Sequence, residues 1–289
     1  MKIGKNEPIR GSLVKAWNFV LDKFPFDNYI PAARKSSYFE MPLSVSKYIK
    51  KGSLILDFGA GPCDKTAMLS LSGYEVIAFD DFKDDWHTLG DNKNKILDFA
   101  KKTNIQYVNP DSGGEFNFPE NHFDGIILNN VVEHFHDSPG PLLNVLLKSL
   151  KVGGHIFIAV PNAVNLRKRI DVLFGKTNYP QMAYYYWATP WRGHIREYVK
   201  DDLVKLNSFL GLDEAEISTH HYHLDQLGPV LRRIFVTICK IFPNFRESWL
   251  YVGTKPEHWI EKSEPNQEEF EMAYGKQYFD YKKEELASE

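Results

Sequence analysis

Leu56-Asp57-Phe58-Gly59-Ala60-Gly61-Pro62-Cys63-Asp64 is the stretch that decides the fold of this chain. It starts inside a short apolar run, which is typical of a buried parallel strand, and continues into two glycines separated by one residue. Glycines at this place let the backbone turn sharply and pass close to a ligand before the next helix begins. The stretch therefore predicts the first βα turn of an open α/β sheet, where such folds bind nucleotide-like ligands.

Strand-like and helix-like segments alternate along the chain around this turn. The apolar runs predict strands at 54–58, 75–79, 106–108, 123–128, 155–160, 215–221 and 248–253. Helical patterns lie between them at 65–72, 92–101, 141–150, 200–210 and 229–242. This alternation predicts a Rossmann-like α/β fold: seven strands in a mostly parallel sheet with helices on both faces.

Composition divides the chain of 289 residues into three parts. Residues 1–50 are predicted to be an N-terminal helical extension, and residues 51–254 form the sheet domain with insertions at 162–193 and 222–246. Residues 255–289 hold ten acidic and five basic side chains and are predicted to be an acidic tail in solvent. The insertion after the fifth strand is long for a compact domain, which is typical of a lid or binding loop.

The overall composition disfavours several classes of protein. The net charge of −3 argues against a duplex nucleic-acid binder. Cys63 and Cys239 cannot make a disulfide framework, and neither belongs to a CxxC zinc motif. There is no signal-peptide pattern and no apolar run of about 18 residues, so a cytoplasmic protein is predicted. Aromatic residues make up 14% of the chain. They gather at 17–39, 179–191 and 274–281, which suggests an aromatic cover over the ligand crevice.

The glycine turn leaves two cofactor classes open. A dinucleotide site prefers GxGxxG, and here Asp64 occupies the third glycine position, where a carboxylate would repel a pyrophosphate. An NAD-dependent oxidoreductase therefore stays only an alternative. Further motifs follow in order: FNFPENHFD at 116–124, NNVVEH at 129–134, LKSLKVGGHIFIAVPN at 147–162 and GHIREY at 193–198.

Taken together, these motifs resemble those of class I S-adenosylmethionine-dependent methyltransferases of the type 11 and type 23 kind. The family has LPFPDNSFD, EH, LKPGG and GHxRxY segments in the same order, and the resemblance covers roughly residues 50 to 215. It implies S-adenosylmethionine as the cofactor, with S-adenosylhomocysteine as the product. The cofactor-binding residues that it implies are Asp57, Gly59, Ala60, Gly61, Asp80, Asp81, Asp111 and Asn129.

Within that set, the resemblance gives each acid a part of the cofactor. Asp80 ends the second strand and is expected to accept from both ribose hydroxyls, with Asp81 as the neighbour that could replace it. Asp111 would hold the adenine amino group. Gly59, Ala60 and Gly61 would lie under the methionine portion. A cation from the N-terminal segment, such as Arg34, could pair with the methionine carboxylate, although the spacing does not select it.

Methyl transfer is an in-line displacement, and a hydroxyl acceptor must also lose its proton. Histidines near the crevice suit this task because their pKa lies near neutrality. We predict His134 and His194 as the catalytic residues, with His136 as a weaker third; packing or capping roles remain the alternative for each. His220, His221 and His223 stand near Asp225, but their pattern is more typical of a solvated strand end, and no metal is predicted.

The sequence therefore favours a methyltransferase that acts on a small molecule rather than on nucleic acid. The insertion PNAVNLRKRIDVLFGK and the later GHIREY resemble enzymes of bacterial surface-glycan and lipid-linked pathways, which implies a hydroxyl of a sugar or glycolipid, with quinone-type acceptors next. A catalytically inactive binding protein on the same fold stays open. The apolar helix at 229–242 indicates either peripheral membrane contact, a dimer contact or a cover on the sheet.

Overall fold

The fold was obtained as a computed structural model, which describes residues 7–109, 118–177, 179–222, 224 and 227–275. Its centre is a sheet of seven strands in the order β3-β2-β1-β4-β5-β7-β6. The strands are β1 Leu54–Phe58, β2 Glu75–Phe79, β3 Ile105–Val108, β4 Phe123–Asn129, β5 Leu150–Pro161, β6 Asp213–His220 and β7 Ser248–Thr254. The predicted Rossmann-like sheet, with an N-terminal helical extension, is confirmed.

Eleven helices are described around this sheet. They are α1 Glu7–Lys23, α2 Lys35–Tyr48, α3 Thr66–Ser70, α4 Asp85–Thr88, α5 Asn92–Lys102, α6 Pro139–Ser149, α7 Leu166–Leu173, α8 Met182–Trp187, α9 Lys200–Leu210, α10 Pro229–Ile241 and α11 Gln267–Tyr274. The predicted insertion between β5 and α9 contains α7 and α8, and the second insertion contains α10.

Strand pairing brings the ends of the central strands together. β1 to β5 run parallel, and Phe58 at the end of β1 lies opposite Phe79 on β2 and Leu128 on β4. β7 runs antiparallel to both β5 and β6. Because the carboxyl ends of parallel strands share one edge, the loops that follow β1, β2 and β4 meet at a single crevice.

Apolar side chains on both faces of the sheet form the core. Leu56 on β1 packs in a cluster with Leu146 of α6 and Leu206 of α9. The N-terminal extension joins another cluster, in which Leu13 of α1 packs with Phe99 of α5. Successive side chains of a strand point to opposite faces, so apolar positions next to each other bury both faces. Two-sided burial explains why the central strands read as continuous apolar runs.

The first part of the predicted acidic tail packs against the sheet domain instead of extending into solvent. The indole Nε1 of Trp259 donates to the carbonyl of Leu210 at 2.8 Å, and Asn144 donates to the carbonyl of Lys262 at 2.9 Å. Residues 276–289 lie outside the described part. The excess of acidic residues predicted a solvated segment, although the segment also contains Trp259. A packed tryptophan usually finds a hydrogen-bond partner for its indole N–H, and this one anchors the segment.

Helix α10 presents an apolar face that no other described part of the chain covers. Phe235 and Cys239 are buried, whereas Val230, Leu231 and Ile234 are more than half exposed. Within the described ranges, no helix has the length and apolar character needed to cross a membrane. The predicted membrane or dimer contact of this helix stays a prediction.

Removing a central core side chain should destabilise the whole fold. Phe157 on β5 is fully buried, and Phe157→Ala is expected to lower the free energy of unfolding by about 3–5 kcal/mol, because the ring leaves a cavity. The matched control is Phe174→Ala, since Phe174 is 74% exposed. Urea denaturation of both variants checks this, and equal losses for the two would contradict the placement of Phe157 in the core.

Candidate functional site

A tight turn after β1 forms the floor of the crevice. The backbone amides of Gly59 and Ala60 both donate to the carbonyl of Phe79, at 2.8 and 3.1 Å. Gly59 has a φ of +74°, and a Cβ added there would lie 2.6 Å from the Cγ2 atom of Val131. A larger residue would therefore be strained and would push away the loop that follows β4. The sequence needs glycine here for both reasons.

Asp80 holds this turn to the end of β2. Its carboxylate accepts from the amides of Gly61 and Phe82, each at 2.9 Å, and burial raises its pKa. Asp81 differs, because its exposed carboxylate pairs with Lys83 at 3.1 Å. A carboxylate has about four acceptor positions, so Asp80 keeps capacity for ligand hydroxyls. Of the two acids predicted at this strand end, Asp80 is the one tied into the glycine turn.

Asp57 lies beneath the turn on β1. It is 5% exposed and accepts from the hydroxyl of Thr66 at 2.6 Å. Burial raises the pKa of Asp57 to about 7, because charging a carboxyl away from water is costly. The neighbouring Asp64 is also buried and accepts from the hydroxyl of Tyr38. Asp64 therefore serves as a structural acceptor at the position where a dinucleotide site has its third glycine.

Two cavities lie on either side of the glycine turn. One, of about 370 Å³, is lined by the turn itself and by Arg34, Asp57, Lys65 and Asn129. Its cations come from the N-terminal extension and from the start of α3. Lys65 donates to the hydroxyl of Tyr222 at 2.7 Å. This cavity combines a positive wall with the predicted methionine-side residues.

The other cavity, of about 400 Å³, lies beyond Asp80. Its wall includes Tyr29, Trp86 and His87, none of which the motifs had indicated. The Trp86 ring contacts the rings of Tyr29 and His87, with centroids 5.4 and 4.4 Å apart. An aromatic wall beside a carboxylate is suited to a flat base carried on a ribose. Trp86 and His87 follow β2 in the stretch DDWHT, whose short helix α4 has no apolar period that would have revealed them.

A third cavity, of about 350 Å³, opens on the far side of the loop after β4. His134 and His194 line it, with ring centroids 4.9 Å apart. The Nδ1 atom of His134 lies 3.0 Å from the carbonyl oxygen of Arg192, and Nδ1 of His194 lies 2.9 Å from Oε1 of Glu197. Burial lowers the pKa of His134. The two histidines predicted from separate motifs therefore share one site.

Glu133 is a further member of this cavity that sequence reasoning did not select. Its side chain is fully buried, and neither carboxylate oxygen has a hydrogen-bond partner in another residue of the described chain. Burial raises the pKa of Glu133 to about 7. Its backbone carbonyl accepts from the amides of Ile195 and Arg196 at 2.7 and 3.3 Å. These two bonds fasten the segment that carries His194 beside the loop that carries His134.

The predicted site residues fall into three groups. The two cavities at the glycine turn are lined by Asp57, Gly59, Ala60, Gly61, Asp80, Asp81 and Asn129. His134 and His194 line the third cavity. Asp111 lies outside the described residues, as do His223 and Asp225. The roles of all these residues stay predictions.

Of the two described histidines of the other cluster, His220 has close partners, whereas Nδ1 of His221 has no hydrogen-bond partner among the described residues. His220 pairs with Glu40 at 2.5 Å through Nδ1, and its Nε2 lies 3.0 Å from the hydroxyl of Ser218. His221 lies 3.8 Å from Glu247. These contacts fix the end of β6 against α2 and β7.

The aromatic insertion comes over the crevice at one point. Trp191 lines the cavity beyond Asp80, and its ring contacts those of Tyr184 and Tyr185 at 5.0 and 5.2 Å. The α8 residues Tyr184–Trp187 are each more than half exposed. The insertion therefore contributes a wall to the site and leaves aromatic surface outside it. That the insertion acts as a lid stays a prediction.

A parallel sheet with one antiparallel strand at β7, a glycine turn after β1 and an acid after β2 define a class I methyltransferase. The sequence matches the family model described as "Methyltransferase domain" over residues 32–215. The chain belongs to this family, and the predicted resemblance is confirmed. No curated protein matches the sequence.

Three solved structures share the fold with TM-scores of 0.50. The N-methyltransferase NodS from Bradyrhizobium japonicum WM9, in complex with S-adenosylhomocysteine, is 13% identical over 84% of this chain and 99% of its own. The PH0226 protein from Pyrococcus horikoshii OT3 is 18% identical over 82% of this chain and 98% of its own. An S-adenosylmethionine-dependent methyltransferase from Mesorhizobium loti is 14% identical, over 73% and 95%. At these identities the likeness concerns the fold.

The raised pKa of Asp57 makes a prediction about stability and pH. Between the ordinary value of 3.8 and about 7, the folded chain keeps a proton on Asp57 that the unfolded chain has lost. The contribution of Asp57 to the free energy of unfolding therefore falls as pH rises through this window. Asp57→Asn removes that loss, so the stability of the variant relative to the unmodified chain should rise between pH 5 and pH 8.

Urea denaturation without ligand, at both pH values, checks this expectation. Phe174→Ala is the control, since it changes no ionisable group, and its stability relative to the unmodified chain should stay constant with pH. A constant difference between Asp57→Asn and the unmodified chain would show that Asp57 ionises normally in the fold.

Proposed function

We propose that this chain transfers a methyl group from S-adenosylmethionine to a hydroxyl group of a small, polar acceptor such as a sugar or glycolipid. S-adenosylmethionine is the cofactor of the family to which the chain belongs. The observation that carries the proposal is the meeting of the cavities: His134 lines both the cavity beyond Asp80 and the cavity that contains His194. A donor in the first and an acceptor in the second would meet at this residue.

The cofactor assignment is supported by the chemistry of the two cavities at the glycine turn. Asp80 would accept from the ribose hydroxyls, and the Trp86 wall would face the adenine. Arg34 and Lys65 line the opposite cavity, where the methionine carboxylate of the donor would need a cation. NodS, whose fold the chain shares, binds S-adenosylhomocysteine.

The choice of acceptor is supported by the polarity of the third cavity. Charged groups line it on most sides: Glu133, Arg167, Lys168, Glu197 and Glu247. Arg167 pairs with Glu247 at 3.1 Å, and Lys168 contacts Glu197. The two ion pairs of this third cavity, which we call the acceptor cavity, would hydrogen-bond a polyhydroxylated acceptor. They would be poorly matched to an apolar quinone. The lining therefore favours a sugar-like acceptor.

The reaction requires an in-line approach of the acceptor to the methyl carbon. The acceptor oxygen forms a bond to that carbon as the carbon–sulfur bond breaks, and sulfur takes the electron pair. The fold would align the donor through the glycine turn, while His134 and His194, on the other side, would assist loss of the hydroxyl proton to solvent water. Glu197 would orient His194 through its bond to Nδ1.

A catalytically inactive binding protein on this fold is the second candidate function. Both candidates bind S-adenosylmethionine, whereas an oxidoreductase would bind NAD, so calorimetry with the two ligands separates the cofactor classes. Release of S-adenosylhomocysteine in a screen over glycosides, glycolipids and quinols then separates an enzyme from a binding protein. The exposed apolar face of α10 would suit a lipid-linked acceptor at a membrane surface.

Asp80→Asn should weaken binding of S-adenosylmethionine by about 1–3 kcal/mol, because a charge-assisted hydrogen bond to the ribose is lost. Titration calorimetry measures the effect. Asp81→Asn is the matched control and should bind as the unmodified chain does, since Asp81 is exposed and pairs with Lys83. Equal affinity for Asp80→Asn and the unmodified chain would reject the ribose role.

His134→Ala and His194→Ala should each lower turnover while the Kd for S-adenosylmethionine stays nearly constant. The physical reason is that both rings line the acceptor cavity, whereas the cofactor contacts lie at the glycine turn. His258→Ala, an exposed histidine, is the control. Full turnover in both variants, in the S-adenosylhomocysteine release assay, would sink their catalytic role.

A further inference from the structure

Three side chains in the acceptor cavity converge on one point. Within the described part of the chain, Glu133, His134 and His194 each offer one potential ligand atom, and these atoms all lie within 4.8 Å of one another. The three residues come from the loop after β4 and from the segment before α9. The carbonyl of Glu133 joins the two segments through the amides of Ile195 and Arg196. The cluster is therefore built on fixed backbone.

The hydrogen bonds of both imidazoles orient the rings as metal ligands are oriented. Nδ1 of His134 faces the Arg192 carbonyl, and Nδ1 of His194 faces the Glu197 carboxylate. Both partners are acceptors, so Nδ1 of each ring donates, and in the neutral imidazole Nε2 is then the nitrogen with the lone pair. Metal-binding histidines commonly donate their second N–H to a carbonyl or carboxylate in this way.

Glu133 supplies an independent observation. Its carboxylate is fully buried, and neither oxygen accepts a hydrogen bond from another described residue. A buried carboxylate without a partner is costly, and in proteins such groups are usually paired or bound to metal. Glu133 is thus a buried oxygen ligand that lines the cavity and keeps its acceptor capacity.

The balance of charges in the lining of the cavity also favours a cation. Its two cationic side chains, Arg167 and Lys168, are each engaged by a carboxylate, Glu247 and Glu197 respectively. Glu133 is left without such a partner among the lining residues. The lining therefore carries one negative charge in excess when Glu133 is ionised and both histidines are neutral.

We propose that Glu133, His134 and His194 bind a divalent transition-metal cation in the acceptor cavity. Two imidazoles and one carboxylate suit zinc, cobalt, manganese or iron better than magnesium or calcium, which prefer oxygen ligands alone. Three protein ligands leave positions open for an acceptor. No metal was predicted from the sequence. The histidines at 220–223 lie close together in the sequence, whereas His134 and His194 are 60 positions apart and meet only in the fold.

A cation at this place would act on the acceptor, a role that rests on the proposed function. It would bind the acceptor hydroxyl and lower its pKa, so that the proton passes to solvent water. The resulting oxygen anion then forms its bond to the methyl carbon, the carbon–sulfur bond breaks, and sulfur takes the electron pair. An acceptor with two neighbouring hydroxyls would fill two open positions, which narrows the proposed acceptor to a vicinal diol.

The test uses the full chain after a chelator has removed any bound metal. This protein is then titrated with CoCl₂. We expect saturation at one Co²⁺ per chain, with the visible absorption of cobalt bound to nitrogen and oxygen ligands. Glu133→Gln and His194→Ala should lose most of the affinity. Glu197→Gln, which leaves all three ligands in place, should weaken binding about 10–100-fold because it removes the orienting partner of His194. His258→Ala should bind as the unmodified chain does.

Absence of saturable Co²⁺ binding, or equal binding by the unmodified chain and His194→Ala, would overturn the proposal. His194 is partly exposed, so this variant keeps the test valid if Glu133→Gln fails to fold. Calorimetry with S-adenosylmethionine on the same samples separates the two proposals. If the chain binds S-adenosylmethionine but shows no saturable Co²⁺ binding, only the cation site is overturned. If the chain binds Co²⁺ but does not bind S-adenosylmethionine, only the proposed function is overturned.

Discussion

The contact between Gly59 and Val131 is the constraint on which the rest of the site depends. Because Gly59 has no Cβ and a left-handed φ, the loop after β4 can lie directly against the turn after β1. The same turn places its amides on the carbonyl of Phe79 and on the carboxylate of Asp80. The absence of a side chain at Gly59 therefore lets the ends of three strands meet, and two of the three cavities are lined by this turn.

In the proposed function, the cavities divide the work between the strand ends and the insertion. The strand ends would supply the groups that bind the cofactor. The acceptor cavity instead combines the loop after β4 with α7 and the segment before α9, which lie on the insertion or at its end. Its charged lining is organised in pairs, and Glu133 alone among the acids discussed there lacks a partner. The unpartnered carboxylate of Glu133 is therefore the feature of this polar lining on which the proposed cation site depends.

The sheet was predictable from sequence because burial on both faces makes each central strand a nearly continuous apolar run. The positions of the candidate site residues were predictable where they belong to a strand end or to a motif, as for Asp80, His134 and His194. Asp80 and Asp81 are adjacent, and only their surroundings separate a carboxylate bonded to the glycine turn from one that faces Lys83. Glu133 and His87 carry no periodic signal. Trp259, inside an acidic stretch, was hidden because charge counts ignore the one side chain that anchors the segment.

The insertion leaves the sheet and returns to it at the same place. Tyr198 donates to the carbonyl of Pro161, Ala163 donates to that of Tyr198, and Asn162 pairs with Tyr198 as an isolated bridge. The excursion between them is thus a loop whose two ends are fixed next to each other. Its length has little effect on the sheet, because doubling the length of a flexible loop costs only about 0.6 kcal/mol of closure entropy. A change in this excursion would therefore leave the register of the sheet as it is, and would reach the cavities through Trp191 and through the segment that carries His194.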